Sequence, residues 1–475
     1  MQPDTLLPAA VPVDAARRIA ATLFGVDAAA TPLPGEYDNN FRVAPAGGGA
    51  IVLKIMHPSR DAHLLDLQVS ALQHLAARAP ALPLQRVLLS RDGTAVSEVE
   101  VLPGVRQRTW AVSYLDGRSL AQTRPRLRTL LTELGECIGT LTAALADFTH
   151  PAAERDLKWD LAQAGWINAH LDALVDPQRR KRVEACMAEF ADCVLPALPQ
   201  LRRSVIHGDI NDYNVLTRAR AAGEPQIAGI IDFGDMHAGL TVAELAIAIA
   251  YAILGQEDPL AAACAVTGGF HARCALSAAE LAVLFTLVRV RLCVSVVNSA
   301  MRRALAPHDA YVTVSEGPAW AALEQLSRIA PRFAHYALRS ACGLAPVPQA
   351  SRVVDWLRAQ GAFAPVIALP GTPLVLDLGV GSTLTGANPA VLEEPSLSAL
   401  IAAALKDAGA DLAIGRYDEV RAMYTGAAFG DTTDPTAERR CLHLGLDLFA
   451  PAGTAIHAPL AGTVVACADH AQPQD

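Results

Sequence analysis

The sequence predicts an α+β protein with a small strand-rich part at its N-terminus and a large helical part after it. A hairpin over 33–43, a strand over 50–55 and strand-like runs near 84–89 and 105–114 accompany one helical segment at 62–78. Later residues form Ala/Leu-rich segments with helical periodicity: 124–148, 160–174, 179–194, 241–254, 278–304 and 317–342. Strands with one helix, followed by helices, are typical of a two-lobed α+β protein.

Composition excludes several classes of function. The chain has 475 residues, 52% hydrophobic and 18% charged, which is enough for two or three domains with substantial cores. A net charge of −9 argues against a nucleic-acid partner. The longest apolar run, Leu245–Gly255, is too short to span a membrane. Nine scattered cysteines and no secretory signal predict reduced thiols in a cytoplasmic protein.

Two segments contain the residues that indicate chemistry. In HGDINDYNVL at 207–216, Asp209 follows His207 by two residues and Asn214 follows Asp209 by five. This is the H-x-D-x-x-x-x-N spacing of a kinase catalytic loop. A hydrophobic strand then leads into Asp-Phe-Gly, which begins at Asp232. The two segments together predict phosphoryl transfer, although the same polar residues also serve as caps of turns and helices.

Each residue in this pattern has a predicted role. Asp209 is placed to orient or accept the proton of an attacking hydroxyl. Asn214 and Asp232 supply two oxygen ligands for Mg²⁺, which needs few protein ligands when nucleotide phosphates and waters complete its shell. These three residues are the predicted catalytic and metal-binding set.

Lys54 is the predicted contact for the donor phosphates. It lies in the strand-like IVLKI at 51–55, which is similar to the V-A-I-K strand of kinases. The segment that begins at Gly35 occupies the place of a phosphate-covering loop but lacks G-x-G-x-x-G. No acidic residue on the following helix is an obvious partner for Lys54, so either Gln68 or Asp66 is expected to serve.

Residues of about 13–340 resemble the aminoglycoside phosphotransferase and choline kinase superfamily, and most closely its hydroxylysine kinase branch. The matching segments are GEYDNNFRV (35–43), VLKI (52–55), SYLDGRSL (113–120), RDLKWDL (155–161), HGDINDYNVL (207–216) and IDFGD (231–235). The resemblance implies a bilobal protein-kinase-like fold with an N-lobe at 1–115 and a C-lobe at 116–345.

The same resemblance implies a cofactor and an acceptor. The cofactor is ATP or GTP with Mg²⁺, with Gly35 and Asn39 near the nucleotide and a hinge at Ser113 to Leu115 for its base. The acceptor is a small hydroxylated amine such as hydroxylysine, because little chain follows Asp-Phe-Gly to bind a peptide. Candidate carboxylates for the amine are Asp212, Asp235 and Glu244, each of which could equally be a helix-start or capping acid. The alternative is a non-catalytic kinase-like binding module.

A linker is predicted at 346–365, where a Pro-rich stretch begins the boundary, and a mainly β domain at 366–475. The segment from Arg440 resembles the start of a lysostaphin-type zinc peptidase, which would make His443 and Asp447 zinc ligands and makes a zinc metallopeptidase a further alternative function. The H-x-H that supplies a third ligand in that family does not follow, so the domain is expected to be truncated or degenerate. Kinases of the resembling type can also act with a fused or separate pyridoxal-phosphate lyase.

Overall fold

The chain divides into two compact units, 1–348 and 349–475. The computed structural model describes residues 11–35, 38–221, 223–305, 316–368, 370–386, 388, 391, 395–422, 424, 429, 440–464 and 467. No helix within these residues is long and apolar enough to cross a membrane. All nine cysteines are free thiols. The domain limits proposed at residues 115, 345 and 365 remain predictions.

The first unit begins with a helix and a six-stranded antiparallel sheet. Its elements are α1 (Val13–Phe24), β1 (Ala30–Leu33), β2 (Asn39–Val43), β3 (Ile51–Ile55), α2 (Ala62–Arg78), β4 (Val87–Leu88), β5 (Val96–Leu102) and β6 (Val105–Ser113). The strand order is β1-β2-β3-β6-β4, and β5 also pairs with β6. The predicted hairpin is the β1–β2 pair.

Strand β3 separates two hydrophobic cores. Ile51, Leu53 and Ile55 pack with α1 in one core, whereas Val52 belongs to the large core that contains α2 and the helical lobe. Side chains alternate between the faces of a strand, so Lys54 lies on the Val52 face. The alternation therefore directs the predicted phosphate-binding lysine toward the side of the sheet that holds the helical lobe.

The larger lobe is mostly helical and confirms the predicted bilobal architecture. Its elements are β7 (Arg118–Ser119), α3 (Arg128–Ala144), α4 (Pro177–Glu189), β8 (Arg203–Ile206), β9 (Val215–Ala219), β10 (Pro225–Ile230), β11 (His237–Leu240), α5 (Thr241–Ala252), α6 (Pro259–Arg273), α7 (Ala278–Leu305), α8 (Glu316–Ser327) and α9 (Pro331–Ala341). Helix α5 is buried along nearly its whole length, which explains its continuous apolar sequence.

Two short sheets bring the motif segments together. Strand β8 pairs with β11, and β9 lies between β10 and β7. The Ile231 amide, which follows β10, donates to the Asn214 carbonyl oxygen at 2.9 Å. The end of the catalytic-loop motif and the start of Asp-Phe-Gly are therefore neighbours, although 16 residues of hairpin and loop lie between Asn214 and Ile231.

The helix pattern differs from the prediction in three places. Residues Leu161–Ala173 form 3-10 rather than α-helix. The segment 317–342 is two helices, because Pro331 lacks the amide hydrogen that a continuous helix would need and instead begins α9. Helix α6 was not predicted, since the pair Gly268-Gly269 is unusual inside a helix. Here Gly269 allows close packing, as a Cβ would lie 2.1 Å from the Thr132 carbonyl oxygen.

The second unit contains small sheets and two helices. Its elements are α10 (Ala350–Arg358), β12 (Leu374–Leu376), α11 (Ser396–Ala408), β13 (Ala413–Gly415), β14 (Glu419–Val420), β15 (Leu442–His443) and β16 (Asp447–Phe449). The strands form the sheets β12-β13-β16 and β14-β15. A separate small core contains Leu376, Leu378, Ile401 and Ala413.

Candidate active site

The backbone of the catalytic loop, residues 207–214, needs a glycine at its second position. Gly208 has φ +80°, a conformation that other residues adopt only at a cost. A Cβ on Gly208 would also lie 2.7 Å from the Asp235 carbonyl oxygen. The Gly in His-Gly-Asp therefore allows the loop to pack directly on the segment that follows Asp-Phe-Gly.

His207 is a buried, neutral support of the loop. Its ring Nε2 lies 3.1 Å from the Ile231 carbonyl oxygen, and its Nδ1 accepts the Asp209 amide at 3.3 Å. This pair of bonds assigns the tautomer that carries its hydrogen on Nε2. Burial lowers the pKa of His207, which favours the same neutral form. His207 thus fixes the backbone of Asp209 without providing a charge.

Donors on two sides hold the Asp209 carboxylate. Arg291 Nη2 donates to Oδ1 at 3.0 Å. Asn211 Nδ2 and Asn214 Nδ2 donate to Oδ2 at 2.8 and 3.1 Å. The side chain remains 22% exposed, so one edge of the carboxylate is open to an acceptor. A carboxylate fixed in this way can receive the proton of a hydroxyl group.

The charge state of Asp209 is set by opposing effects. The pKa of Asp209 is raised to about 7, chiefly by burial, and the negative charges of Asp235 and Asp232 contribute to this rise. The Arg291 guanidinium acts in the opposite direction. A carboxylate with a pKa close to neutrality is a better proton acceptor than one with its ordinary value.

Asp232 has an unusual backbone conformation at the end of β10. Its φ is +66° and its ψ is +75°, in the left-handed region that Asp tolerates better than most residues. Its Oδ1 accepts the Gly234 amide at 3.3 Å. The residue is exposed, so its carboxylate can reach a ligand outside the protein. Such local strain is common at functional sites.

Asn214 and Asp232 fit a magnesium site. Asn214 Nδ2 donates to both the Asp209 carbonyl and its carboxylate, which leaves Oδ1 on the opposite side of the amide. The Ile231 bond described above places Asp232 one residue from the Asn214 backbone. Both side chains offer oxygen, which Mg²⁺ prefers. Among the described residues, no group of three or more His, Cys, Asp and Glu is placed to hold a metal.

Lys54 lies between two strands of the N-terminal sheet. It is directly opposite Asn40 on β2 and Trp110 on β6, and its Nζ is 5.3 Å from the centre of the Trp110 ring. Neither expected partner contacts it: Asp66 pairs with His150 at 3.2 Å, and the Gln68 amide donates to the Leu64 carbonyl at 3.3 Å. No carboxylate within the described ranges forms an ion pair with Lys54.

Gly35 and Asn39 flank the turn between β1 and β2, of which residues 36 and 37 lie outside the described ranges. A Cβ on Gly35 would lie 2.5 Å from the Asp38 carbonyl oxygen, so this turn needs a glycine. Asn39 Oδ1 accepts the Val11 amide at 3.3 Å. Gly35 is therefore required by the hairpin turn, whereas the Asn39 side chain ties the start of β2 to the segment before α1.

Ser113 and Leu115 end strand β6 and lead into the helical lobe. The Ser113 amide donates to the Arg86 carbonyl at 2.8 Å, and its Oγ accepts the Arg86 amide at 2.9 Å. Leu115 packs on β10, where a Cβ on Gly229 would lie 2.6 Å from Leu115 Cδ1. The predicted hinge is thus a packed connection between the lobes.

The three candidate acids for an acceptor amine lie in different environments. Asp212 is buried and pairs with Arg126 at 2.8 Å. Glu244 is fully buried under the loop, where its Oε2 accepts the His207 amide at 2.5 Å, and burial raises the pKa of Glu244 to about 8. Asp235 is partly exposed, 4.0 Å from Arg155. Of the three, Asp235 alone has an exposed carboxylate near Asp209.

Arg291 was missed by the sequence reasoning. It lies on α7, 82 residues after its partner Asp209, inside a helix with no local motif. Its side chain is 3% exposed, and its Cζ lies 5.2 Å from the Trp159 ring and 5.3 Å from the Tyr251 ring. The available signal was a pair of arginines, Arg289 and Arg291, within an otherwise apolar helical segment, and nothing in the sequence showed which of them meets Asp209.

The predicted zinc ligands contact each other in the second unit. His443 Nε2 lies 3.3 Å from Asp447 Oδ1, and Tyr424 Oη is 2.5 Å from His443 Nδ1. Arg421 pairs with the other oxygen of Asp447 at 2.5 Å, so a cation already occupies this carboxylate. No third metal-ligating side chain joins the pair in the described part of the chain. These contacts do not support a zinc peptidase.

Comparison with known proteins decides the family. The family model described as "Phosphotransferase enzyme family" matches residues 29–276, which include Lys54, the catalytic loop and Asp-Phe-Gly. The chain belongs to this family. It is therefore a small-molecule kinase, a phosphotransferase whose acceptor is a hydroxyl group, and family membership favours this activity over a non-catalytic binding module.

Similar proteins include two vertebrate enzymes. The hydroxylysine kinase of Danio rerio is 32% identical over 286 residues, covering 58% of this chain and 79% of the relative. The hydroxylysine kinase of Mus musculus is 30% identical over 316 residues, covering 62% of this chain and 83% of the relative.

Similar solved structures include two small-molecule kinases. An amicoumacin kinase in complex with AMP-PNP, Ca²⁺ and Ami has a TM-score of 0.48 at 15% identity, covering 65% of this phosphotransferase and 92% of that chain. A microcompartment-associated aminopropanol kinase has a TM-score of 0.46 at 18% identity, covering 71% of this chain and 100% of that chain.

Proposed function

We propose that this phosphotransferase uses Mg²⁺ to transfer the γ-phosphate of ATP or GTP to the hydroxyl group of an amino alcohol such as hydroxylysine. The observation that carries the proposal is the juxtaposition of Asp209, Asn214 and the Asp232 segment through direct hydrogen bonds. The similarity to hydroxylysine kinases, over most of their own length, favours this acceptor class.

Each side chain has a distinct proposed role. Asp209 accepts or orients the proton of the acceptor hydroxyl, because its free edge is exposed and its orientation is fixed by three donors. Lys54 binds the donor phosphates, and Asn214 and Asp232 would hold Mg²⁺. The metal, when bound, neutralises charge on the donor phosphates. The proposed nucleotide-binding site is lined by Gly35, Asn39, Ser113 and Leu115.

Phosphate transfer tests this proposal directly. The wild-type chain and Asp209→Ala are incubated with Mg²⁺ and either ATP or GTP, and with a panel of amino alcohols, sugars and aminoglycosides. We expect transfer to hydroxylysine or a close relative. Asp209→Ala should lower kcat by about 10²-fold or more, since general base catalysis contributes that much.

A matched measurement separates catalysis from binding. The nucleotide Kd of Asp209→Ala should stay within about threefold of wild type, because the proposed phosphate contacts are on other residues. Loss of nucleotide binding as large as the loss of kcat would contradict the proposed role of Asp209. Transfer only to sugars or aminoglycosides would reject the amino alcohol.

The proposed product is a phosphorylated amine, which suggests a following reaction. A pyridoxal-phosphate lyase, fused or separate, is the proposed consumer of this product. A coupled assay that combines the phosphorylated product with candidate lyases tests this partner: phosphate release that depends on both proteins is the expected result.

A further inference from the structure

The segment RDLKWDL at 155–161 has no role in the function proposed above, yet one of its side chains reaches the site. The centre of the Trp159 ring lies 5.2 Å from Cζ of Arg291. The ring of Tyr251, on α5, lies 5.3 Å from the same atom. Two aromatic rings from separate parts of the chain therefore lie against the cation that donates to Asp209.

The hydrogen bonds of Arg291 are too few to fix its side chain. Its Nη2 donates to Asp209 at 3.0 Å, whereas its Nε and Nη1 are buried and have no hydrogen-bond partner among the described residues. An arginine side chain has several rotatable bonds, so one hydrogen bond leaves the planar guanidinium able to turn. Aromatic faces attract a guanidinium at these distances, and they are the remaining contacts that can hold it.

A second carboxylate competes for the same guanidinium. The negative charge of Asp235 acts on Arg291 together with that of Asp209. Asp235 is 36% exposed, and its contact with Arg155 is 4.0 Å, which is longer than a hydrogen bond. A guanidinium that turned toward Asp235 would release Oδ1 of Asp209. The contacts that hold Arg291 therefore decide which carboxylate it binds.

Each of the two rings is held in place by neighbours of its own. Asp160, the residue after Trp159, is 4% exposed, and its Oδ1 accepts the Ala162 amide at 2.9 Å at the start of a 3-10 helix. The Tyr251 hydroxyl lies 3.0 Å from Oγ of Ser295 on α7. These contacts do not involve the guanidinium, so the rings can orient the cation rather than follow it.

We propose that Trp159 and Tyr251 are positioning residues that direct the guanidinium of Arg291 to Asp209 and so fix the carboxylate that receives the proton of the acceptor. This inference rests on the proposed role of Asp209. It gives the segment at 155–161 a part in phosphoryl transfer that is exerted through another side chain and without contact to either substrate.

Steady-state kinetics of ring variants test the inference, with the acceptor that the wild-type chain phosphorylates fastest among the panel described above. Trp159→Leu and Tyr251→Leu should each lower kcat about tenfold, because small displacements of a catalytic group have effects of that order. KM for the nucleotide and for the acceptor should stay within about threefold. Trp159→Phe keeps an aromatic face, so its kcat should stay within about threefold of wild type.

Trp166→Leu is the matched control. Trp166 is also half-buried and lies seven residues after Trp159, but its indole N–H donates to the Lys158 carbonyl at 3.0 Å and its ring faces the Lys158 ammonium. This variant should keep the wild-type kcat. Thermal unfolding of all variants shows which of them are folded.

A double-mutant cycle separates positioning from a general structural role. In an Arg291→Met background, Trp159→Leu should change kcat by no more than about twofold, because the cation that the ring holds is absent. Tyr251→Leu is tested in the same cycle and decides alone if Trp159→Leu does not fold.

Losses of kcat that multiply in the double variant, or a loss in Trp166→Leu equal to that in Trp159→Leu, would overturn the inference and leave the kinase function standing. Absence of transfer from wild type to every acceptor of the panel would instead reject the proposed function, and the inference would fall with it.

Discussion

At the scale of single residues, the pair of Arg291 and Asp209 determines how the proposed base is presented. The guanidinium is buried between two aromatic rings and reaches only one carboxylate oxygen, while two asparagines hold the other. A buried cation in this place both orients the carboxylate and opposes the rise of its pKa. Arg291 is therefore a positioning residue for the proposed proton transfer.

We expect Arg291→Met to lower kcat about 10- to 100-fold, because small errors in the position of a catalytic group have effects of that size. The nucleotide Kd should change little. The matched control is Arg289→Met on the same helix, which removes an arginine of similar burial that pairs with Glu189 instead. The two variants are compared by steady-state kinetics and by thermal unfolding. Equal losses of kcat in the two variants would mean that Arg291 acts only through stability.

At the scale of elements, helix α5 supports the catalytic loop through a single acid. Glu244 lies in the first turn of α5 and accepts the His207 amide from the loop. Burial raises the pKa of Glu244 to about 8, above the ordinary value of 4.5. Between these two values the folded protein keeps a proton that the unfolded chain has released. The free energy of unfolding therefore falls as pH rises through this window.

Glu244→Gln removes this titration. We expect the free energy of unfolding of the variant, relative to wild type, to increase by about 1 kcal/mol per pH unit between roughly pH 5 and 8. Urea unfolding of both proteins at several pH values measures the difference. A difference that stays constant with pH would show that Glu244 is already ionised in the folded state.

The packing of α3 on α6 depends on glycines that face the partner helix. A Cβ on Gly135 would lie 2.0 Å from the Val266 carbonyl oxygen, which is too close without moving one helix. We expect Gly135→Ala to lower the free energy of unfolding by about 2 kcal/mol or more, despite the higher helix propensity of alanine. Gly165→Ala is the control, because nothing lies within 4 Å of the position of its Cβ. Equal losses in the free energy of unfolding for the two variants, measured by denaturant unfolding, would contradict this expectation.

At the scale of the whole molecule, each unit has its own core. The two large clusters belong to residues before 349, and the small cluster around Leu376 and Ile401 belongs to the second unit.

We expect a chain of residues 1–348 to fold and to keep its kcat/KM within about threefold, since every proposed site residue of the kinase lies in it. Kinetics and thermal unfolding of the shortened chain test this expectation. An inactive or aggregated product would mean that the second unit supports the kinase.

Much of the fold was predictable because its signals are local. The high β-propensity on both faces of β3 and the helical periodicity of α7 each lie within one continuous segment. The break at Pro331 and helix α6 were not predicted, because neither follows from the periodicity of its own segment. The first depends on where a proline falls relative to a helix start, and the second on a close contact with α3 that offsets the low helix propensity of its glycines.

The sequence alone determined the residues of the proposed phosphoryl-transfer site, because His207 to Asn214 and Asp232 to Gly234 form two short motifs with fixed spacing. Only the tertiary structure decided the surroundings of those motifs. It paired Asp212 with Arg126 across 86 residues, placed Glu244 under the loop and brought Arg291 to Asp209 across 82 residues. Such contacts depend on how helices pack, and helix packing is a property of the whole core that no local pattern encodes.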